Sequence, residues 1–397
     1  MAYRSTNSAD SGAMASSNRR APAPAPVPAA EGAAIERRKA EHLRIAAEED
    51  IETRRAPGWD DVHLVHAALP ATDAAKIDLS ARLLGHTLAL PLVIAGMTGG
   101  HSGAERVNTT LAEAAARHGL GIGVGSQRAA LRDPSLRSTY AVVRERAPKA
   151  FVIANVGVSQ LVEQDDGEPL GAKEIRTLIE MVGANAIALH LNYLEESVQP
   201  EGQTRALGLD TAIRRLVRRS SVPVIAKETG AGISGEAARR LRALGVKAID
   251  VGGVGGTSFA AIEALRAEDR GDAARARLGQ VFRDWGIPSA VAVAGSARSG
   301  LPVIATGGVR SGLDAAKALA LGATVVGVGR PLLQAALDGP GAVDEWVRQF
   351  ALELRTAAFL SGVARTRDLS TRPPVITGDT RDWIAQLGYE RRARAAK

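Results

Sequence analysis

A chain of 397 residues with a 45% hydrophobic fraction and no cysteine can bury a large core, and it excludes disulfides, thiolate metal sites, iron–sulfur clusters and cysteine nucleophiles. No run nears the roughly 18 apolar residues of a membrane span, and no apolar signal core occurs near the start, so a soluble, cytoplasmic protein with no membrane partner is expected. The formal net charge is +7, but the arginines are scattered, as in 214–219 and 391–394, and aromatics are only 3%; this fits a solvated Arg-rich surface better than a nucleic-acid partner, and an anionic small substrate is compatible with either.

Met1 to Ala34 is mostly Ala, Pro, Ser, Gly and Asn with almost no large apolar side chains, and includes Ala21-Pro22-Ala23-Pro24-Ala25-Pro26. Such a stretch cannot offset its ordering entropy and reads as a disordered tail, so residues 35–397 are expected to form one domain. From Ile35 the pattern becomes a charged helix, in which Arg38, Lys39 and His42 share a face that can clamp an anion. An exposed helix with internal ion pairs explains the same stretch.

Short apolar runs follow, each succeeded by an amphipathic helical stretch: 91–96, 121–126, 151–156, 186–191, 222–227, 248–252, 302–307 and 324–329. Continuous rather than alternating apolar runs mark strands covered on both faces. Eight such βα units predict an α/β protein of the closed (β/α)₈ TIM-barrel class, with an N-terminal helical segment; an open doubly wound sheet would want fewer strands and a glycine fingerprint after the first. The longest gap, from Val251 to Pro302, reads as an active-site insertion. The helical stretches after the eighth strand are expected to pack on the barrel.

Barrel active sites sit at the C-terminal ends of the strands. Those ends carry Thr98, Ser126, Arg128, Asn155, His190, Asn192, Lys227, Thr257, Gly307, Gly308, Arg310, Gly329 and Arg330. The last two ends, 306–310 and 327–331, let bare backbone N–H groups approach an anion and predict a phosphate-bearing cofactor. Lys227 fits a charge beside an electron-accepting ring, or an ion pair with Glu228 or another barrel carboxylate. His190 and Asn192 are expected to alternate along a strand and point to one side; with Glu195 and Glu196 after them they form an acid–base set, and Glu196 suits Mg²⁺ shared with substrate phosphates.

Several motifs resemble those of the type II isopentenyl-diphosphate Δ-isomerases, a flavin-dependent family. They are Arg38-Lys39-Ala40-Glu41-His42, 95–101, Gly125-Ser126-Gln127-Arg128, 190–202, 227–234, the glycine run 250–257 and Asp284-Trp285-Gly286-Ile287-Pro288. The resemblance spans about Ile35 to Gly388. It implies FMN bound by Met97, Thr98, Ser126, Asn155, Lys227 and Thr257, with Gly307, Gly308, Arg310 and Gly329 around its phosphate. It implies a substrate diphosphate held by Arg38, Lys39, His42, Ser126 and Arg128, Mg²⁺ on Glu196, and catalysis by His190, Asn192 and the residue at 195. It further implies reduced FMN without net redox, NADPH as flavin reductant, and a homo-tetramer or homo-octamer. The family pattern has Gln where this chain has Glu195. Beside a diphosphate and Glu196, a carboxyl there should hold its proton. A diverged relative acting on another prenyl diphosphate, or an FMN α-hydroxy-acid oxidoreductase, are the other readings.

Overall fold

The computed structural model describes residues 29–165 and 167–390. The expected tail, up to Pro28, and the arginines of 391–394 lie outside them. Eight parallel strands close into a barrel: β1 (Leu92–Ile94), β2 (Gly121–Gly123), β3 (Phe151–Gly157), β4 (Ala186–Leu191), β5 (Val224–Glu228), β6 (Ala248–Asp250), β7 (Val303–Thr306) and β8 (Val325–Val328). Each pairs with its successor, and β8 returns to β1 through Val326, Gly327 and Val328 against Leu92, Val93 and Ile94. Every strand falls on one of the apolar runs, because a parallel strand buried on both faces tolerates no polar alternation.

Apolar side chains, three of them alanines, line the barrel interior. Ala186, Ala188 and Ala248 lie there with Val93, Phe151, Ile153, Ile225, Ile304 and Val325. The volume they leave is filled by Ala81, Leu83 and Leu88 from a hairpin, Ala81–Leu83 against His86–Leu88. Phe151, Ala186, Ala248 and Val325 each begin a strand, so this hairpin plugs the N-terminal end of the barrel. Its two turn residues, Leu84 (φ 47°) and Gly85 (φ 89°), both lie in the left-handed region, as a two-residue type I′ turn requires.

The first helix spans Ala29–Glu48, so residues 29–34, expected in the disordered tail, are helical and the helix reaches back beyond Ile35. Alanines are strong helix formers and extend it backwards. The 251–302 insertion is no loop but three helices, Phe259–Asp269, Ala273–Val281 and Ser289–Ala297. The first packs against both the Ala29–Glu48 helix and the short Tyr193–Val198 helix. The C-terminal segments pack on the barrel as expected; Val375–Ile376 pairs antiparallel with Val62–His63. Among the described residues no helix is long and apolar enough to cross a membrane.

Candidate active site

Strand register sets the floor of the site. Gly157 pairs with His190, His190 with Lys227, and Lys227 with Asp250, so the side chains of His190, Lys227 and Asp250 form one layer at the C-terminal mouth. His190 Nδ1 lies 2.8 Å from Asn155 Oδ1, while Asn155 Nδ2 donates to the Val124 carbonyl at 2.9 Å. With the Asn155 amide oriented this way, His190 carries its proton on Nδ1 and keeps Nε2 as an acceptor. Burial, then the charges of Lys227 and Lys39, push the imidazole pKa down to about 3, so His190 is neutral. Lys227 pairs with Asp250 at 3.0 Å, the barrel carboxylate that answers it, rather than with the Glu228 side chain.

Asn192 lies beyond the end of β4 and so does not alternate with His190 along it. It precedes the Tyr193–Val198 helix, whose first turn carries both Glu195 and Glu196, where the helix dipole favours negative charge. Asn192 Nδ2 bridges the two, 2.9 Å from Glu195 Oε2 and 3.1 Å from Glu196 Oε1. Glu196 is buried, and its Oε2 accepts from Gln199 Nε2 at 2.6 Å and the Gln203 N–H at 2.7 Å. Its Oε1 retains a lone pair for a hydrated cation. Burial, with Glu263 and Glu196 nearby, pushes the Glu195 pKa up to about 8.

The Ala29–Glu48 helix lies over this mouth. Lys39 Nζ donates to the Ser126 carbonyl at 2.9 Å, which also accepts the Tyr140 hydroxyl at 2.7 Å. Burial, then Arg38, lower the Lys39 pKa to about 7, so an arriving anion would restore its charge. His42 Nε2 lies 2.7 Å from Glu263 Oε1. Glu263, which is fully buried, and Arg266 come from the Phe259–Asp269 helix, and sequence reasoning passed over both. Their signal was available, since 259–267 is apolar apart from this Glu and Arg, which lie three apart and must pair if buried. Burial works against the Glu263 carboxylate, but the His42 hydrogen bond and the Arg266 charge outweigh it and hold its pKa below the usual value. Ligand atoms of His42, Glu195 and Glu263 lie within 4.8 Å of one another. Arg128 lines a cavity of about 70 Å³ beside Gln203.

The glycines expected to form a cradle lie at the ends of β7 and β8. Gly307 (φ 118°) and Gly308 (φ 63°) are left-handed, and a Cβ on Gly308 would strike the Gly255 carbonyl and Pro57. A Cβ on Gly329 would meet nothing nearer than Met97 Sδ at 3.6 Å, so this glycine faces open space beside Met97. Thr98 is buried, its hydroxyl 3.2 Å from His101 Nε2. Thr257 pairs with Glu52 in a short antiparallel bridge. Thr306 Oγ1 and Asp250 Oδ1 are buried without a hydrogen-bond partner at the mouth. Unpaired acceptors, a cation at Lys227 and a glycine cradle with Arg310 beside it suit a polar ring system carrying a phosphate.

The FMN-dependent dehydrogenase family matches residues 33–134 and 171–374. An isopentenyl-diphosphate delta-isomerase of Methanoregula boonei is 51% identical, over 87% of this chain and 95% of its own. Its counterpart in Methanococcoides burtonii is 47% identical, over 89% of this chain and 96% of its own. The chain belongs to the FMN-dependent, type II isopentenyl-diphosphate isomerase family. A Pediococcus acidilactici lactate oxidase superposes with a TM-score of 0.61 at 18% identity, over 87% of this chain and 94% of that one. At that identity the likeness to lactate oxidase shows the barrel alone. The glycine turn and the unpaired acceptors at the mouth fit a group of the FMN kind.

Proposed function

We propose that the chain interconverts isopentenyl and dimethylallyl diphosphate with reduced FMN and Mg²⁺, without net redox. The observation that carries this reading is the seating of the Arg38–Lys39–His42 face over the mouth, anchored by Lys39 on Ser126 and His42 on Glu263. A hydroxy-acid oxidase has no use for a basic helix there, whereas a diphosphate does.

Arg38, Lys39, His42, Ser126 and Arg128 hold the diphosphate, and Glu196 contributes one carboxylate oxygen to a hydrated Mg²⁺ that the diphosphate shares. When bound, reduced flavin supplies a ring position that exchanges a proton with the allylic carbon. Met97, Thr98, Asn155, Lys227 and Thr257 surround the ring and ribityl chain; Gly307, Gly308, Arg310 and Gly329 surround the phosphate. Because Glu195 Oε2 accepts the Asn192 N–H, Glu195 holds its proton on Oε1 and presents it to the substrate double bond. Neutral His190 orients the substrate through Nε2. Asn192 keeps Glu195 and Glu196 apart in role by bridging them. NADPH serves as the flavin reductant, and the chain assembles as a homo-tetramer or homo-octamer.

The test is incubation of isopentenyl diphosphate with the protein, Mg²⁺ and dithionite-reduced FMN, followed by detection of dimethylallyl diphosphate. Glu195 favours one second reading, a diverged enzyme using another prenyl diphosphate. Absence of product, with recovery in Glu195→Gln, would select it. Oxygen uptake with a hydroxy acid would select the oxidase reading instead.

A further inference from the structure

The two arginines at the phosphate cradle already share an anion of the protein's own. Arg310 follows β7 and Arg330 follows β8, the same two strand ends that form the cradle. The Glu52 carboxylate lies between them, Oε2 at 2.6 Å from Arg310 Nη2 and Oε1 at 3.3 Å from Arg330 Nη1. Arg310 also donates to the Gly308 carbonyl at 3.1 Å and the Gly255 carbonyl at 3.2 Å, which fixes its guanidinium against the glycine turn. Arg330 is held from the other side, donating to the Ala46 carbonyl at 3.0 Å and the Glu49 carbonyl at 2.8 Å.

The backbone that carries Glu52 has little freedom. The Thr53 N–H donates to the Gly256 carbonyl at 2.9 Å and the Ser258 N–H to the Ile51 carbonyl at 2.8 Å. Arg283 grips the Glu52 carbonyl itself, with Nη2 at 2.8 Å. Only the side chain can swing, and at 35% exposure it has solvent to swing into. A carboxylate and a phosphate compete for the same guanidinium donors and repel each other when both are close.

We propose that Glu52 is a built-in competitor of the cofactor phosphate, neutralising Arg310 and Arg330 in the flavin-free protein and releasing Arg310 when the phosphate arrives. Glu52 thereby sets how strongly the site distinguishes a phosphorylated flavin from an unphosphorylated one. The inference rests on the FMN reading of the cradle.

Binding of FMN and of riboflavin, read by quenching of flavin fluorescence on titration with the flavin-free protein, tests it without any turnover. Glu52→Gln removes the competing charge at nearly constant shape, and FMN should bind about fivefold tighter, the scale of one partly exposed ion pair, while riboflavin binding stays unchanged. Glu52→Asp, which draws the carboxylate back by one methylene, should fall between the two; it also serves if the Gln variant folds poorly. Weaker FMN binding in Glu52→Gln would show that Glu52 positions Arg310 for the phosphate and overturn the competitor role. Equal changes for both flavins, or none, would overturn it too. If the unaltered protein binds neither flavin, the cofactor reading itself fails, and the Glu52 inference falls with it.

Discussion

Glu195→Gln is the substitution that most directly probes the chemistry. Asn192, Glu196, Glu263, His42, Lys39 and Arg38 all face or flank the Glu195 carboxyl, and burial with the two glutamates raises its pKa to about 8. At about pH 7 roughly ten molecules are then protonated for each one ionised, and near pH 9 the ratio inverts. If the protonated form is the working acid, kcat should fall about tenfold between those pH values, and the Gln variant should show no such fall. Lys39, near 7, titrates in a neighbouring range, but in its proposed role as a diphosphate ligand it should act on KM. The assay is dimethylallyl diphosphate formation with reduced FMN across about pH 6 to 10, with kcat and KM resolved. The same group has a stability signature. Its folded pKa lies above the carboxyl's usual 4.5, so its contribution is fully present below that value and is lost as pH rises through about 8. Urea midpoints should therefore decline over that window in the parent and not in Glu195→Gln. A kcat fall of equal size in both proteins would refute the assignment of the proton to Glu195.

Gly308→Ala forces a methyl into the Gly255 carbonyl and Pro57 at φ 63°, so flavin binding should drop by at least about tenfold in a fluorescence titration, while the barrel's circular dichroism is retained. Leu83→Ala empties part of the hairpin plug and should lower stability by about 3 kcal/mol in urea unfolding, with no change in flavin affinity. Arg266→Met leaves Glu263 buried without its cation and also removes the 3.1 Å contact to Glu41; a loss of about 3 kcal/mol is expected, together with a rise in KM as the first helix loosens. An unchanged KM there would argue against the helix as the diphosphate clamp.

The barrel was legible because each strand must be apolar along its whole length, and 186–191 or 324–329 admit no other burial pattern. The glycine turn after β7 was legible for a related reason. Gly307 and Gly308 hold left-handed conformations against neighbouring backbone, which only glycine accepts without strain. Glu263 and Arg266 escaped notice since a charged pair three residues apart on a helix is ordinary on a surface. Their burial depends on the Ala29–Glu48 and Tyr193–Val198 helices that cover them. Glu52 escaped for a different reason, because its partners lie more than two hundred residues away in the chain.

Hydrophobic pattern and turn chemistry are local, so the sequence by itself determined the strand count, the order of the βα units, the glycine cradle and the family. Proton placement and ion pairing depend on what approaches from elsewhere in the chain, and only the tertiary structure decided them. It paired Lys227 with Asp250, put His42 on Glu263, gave Asn155 to His190, and set Glu195 between like charges in a place too buried to ionise easily. Desolvation and Coulomb energy are properties of the assembled mouth, and no window of sequence contains them.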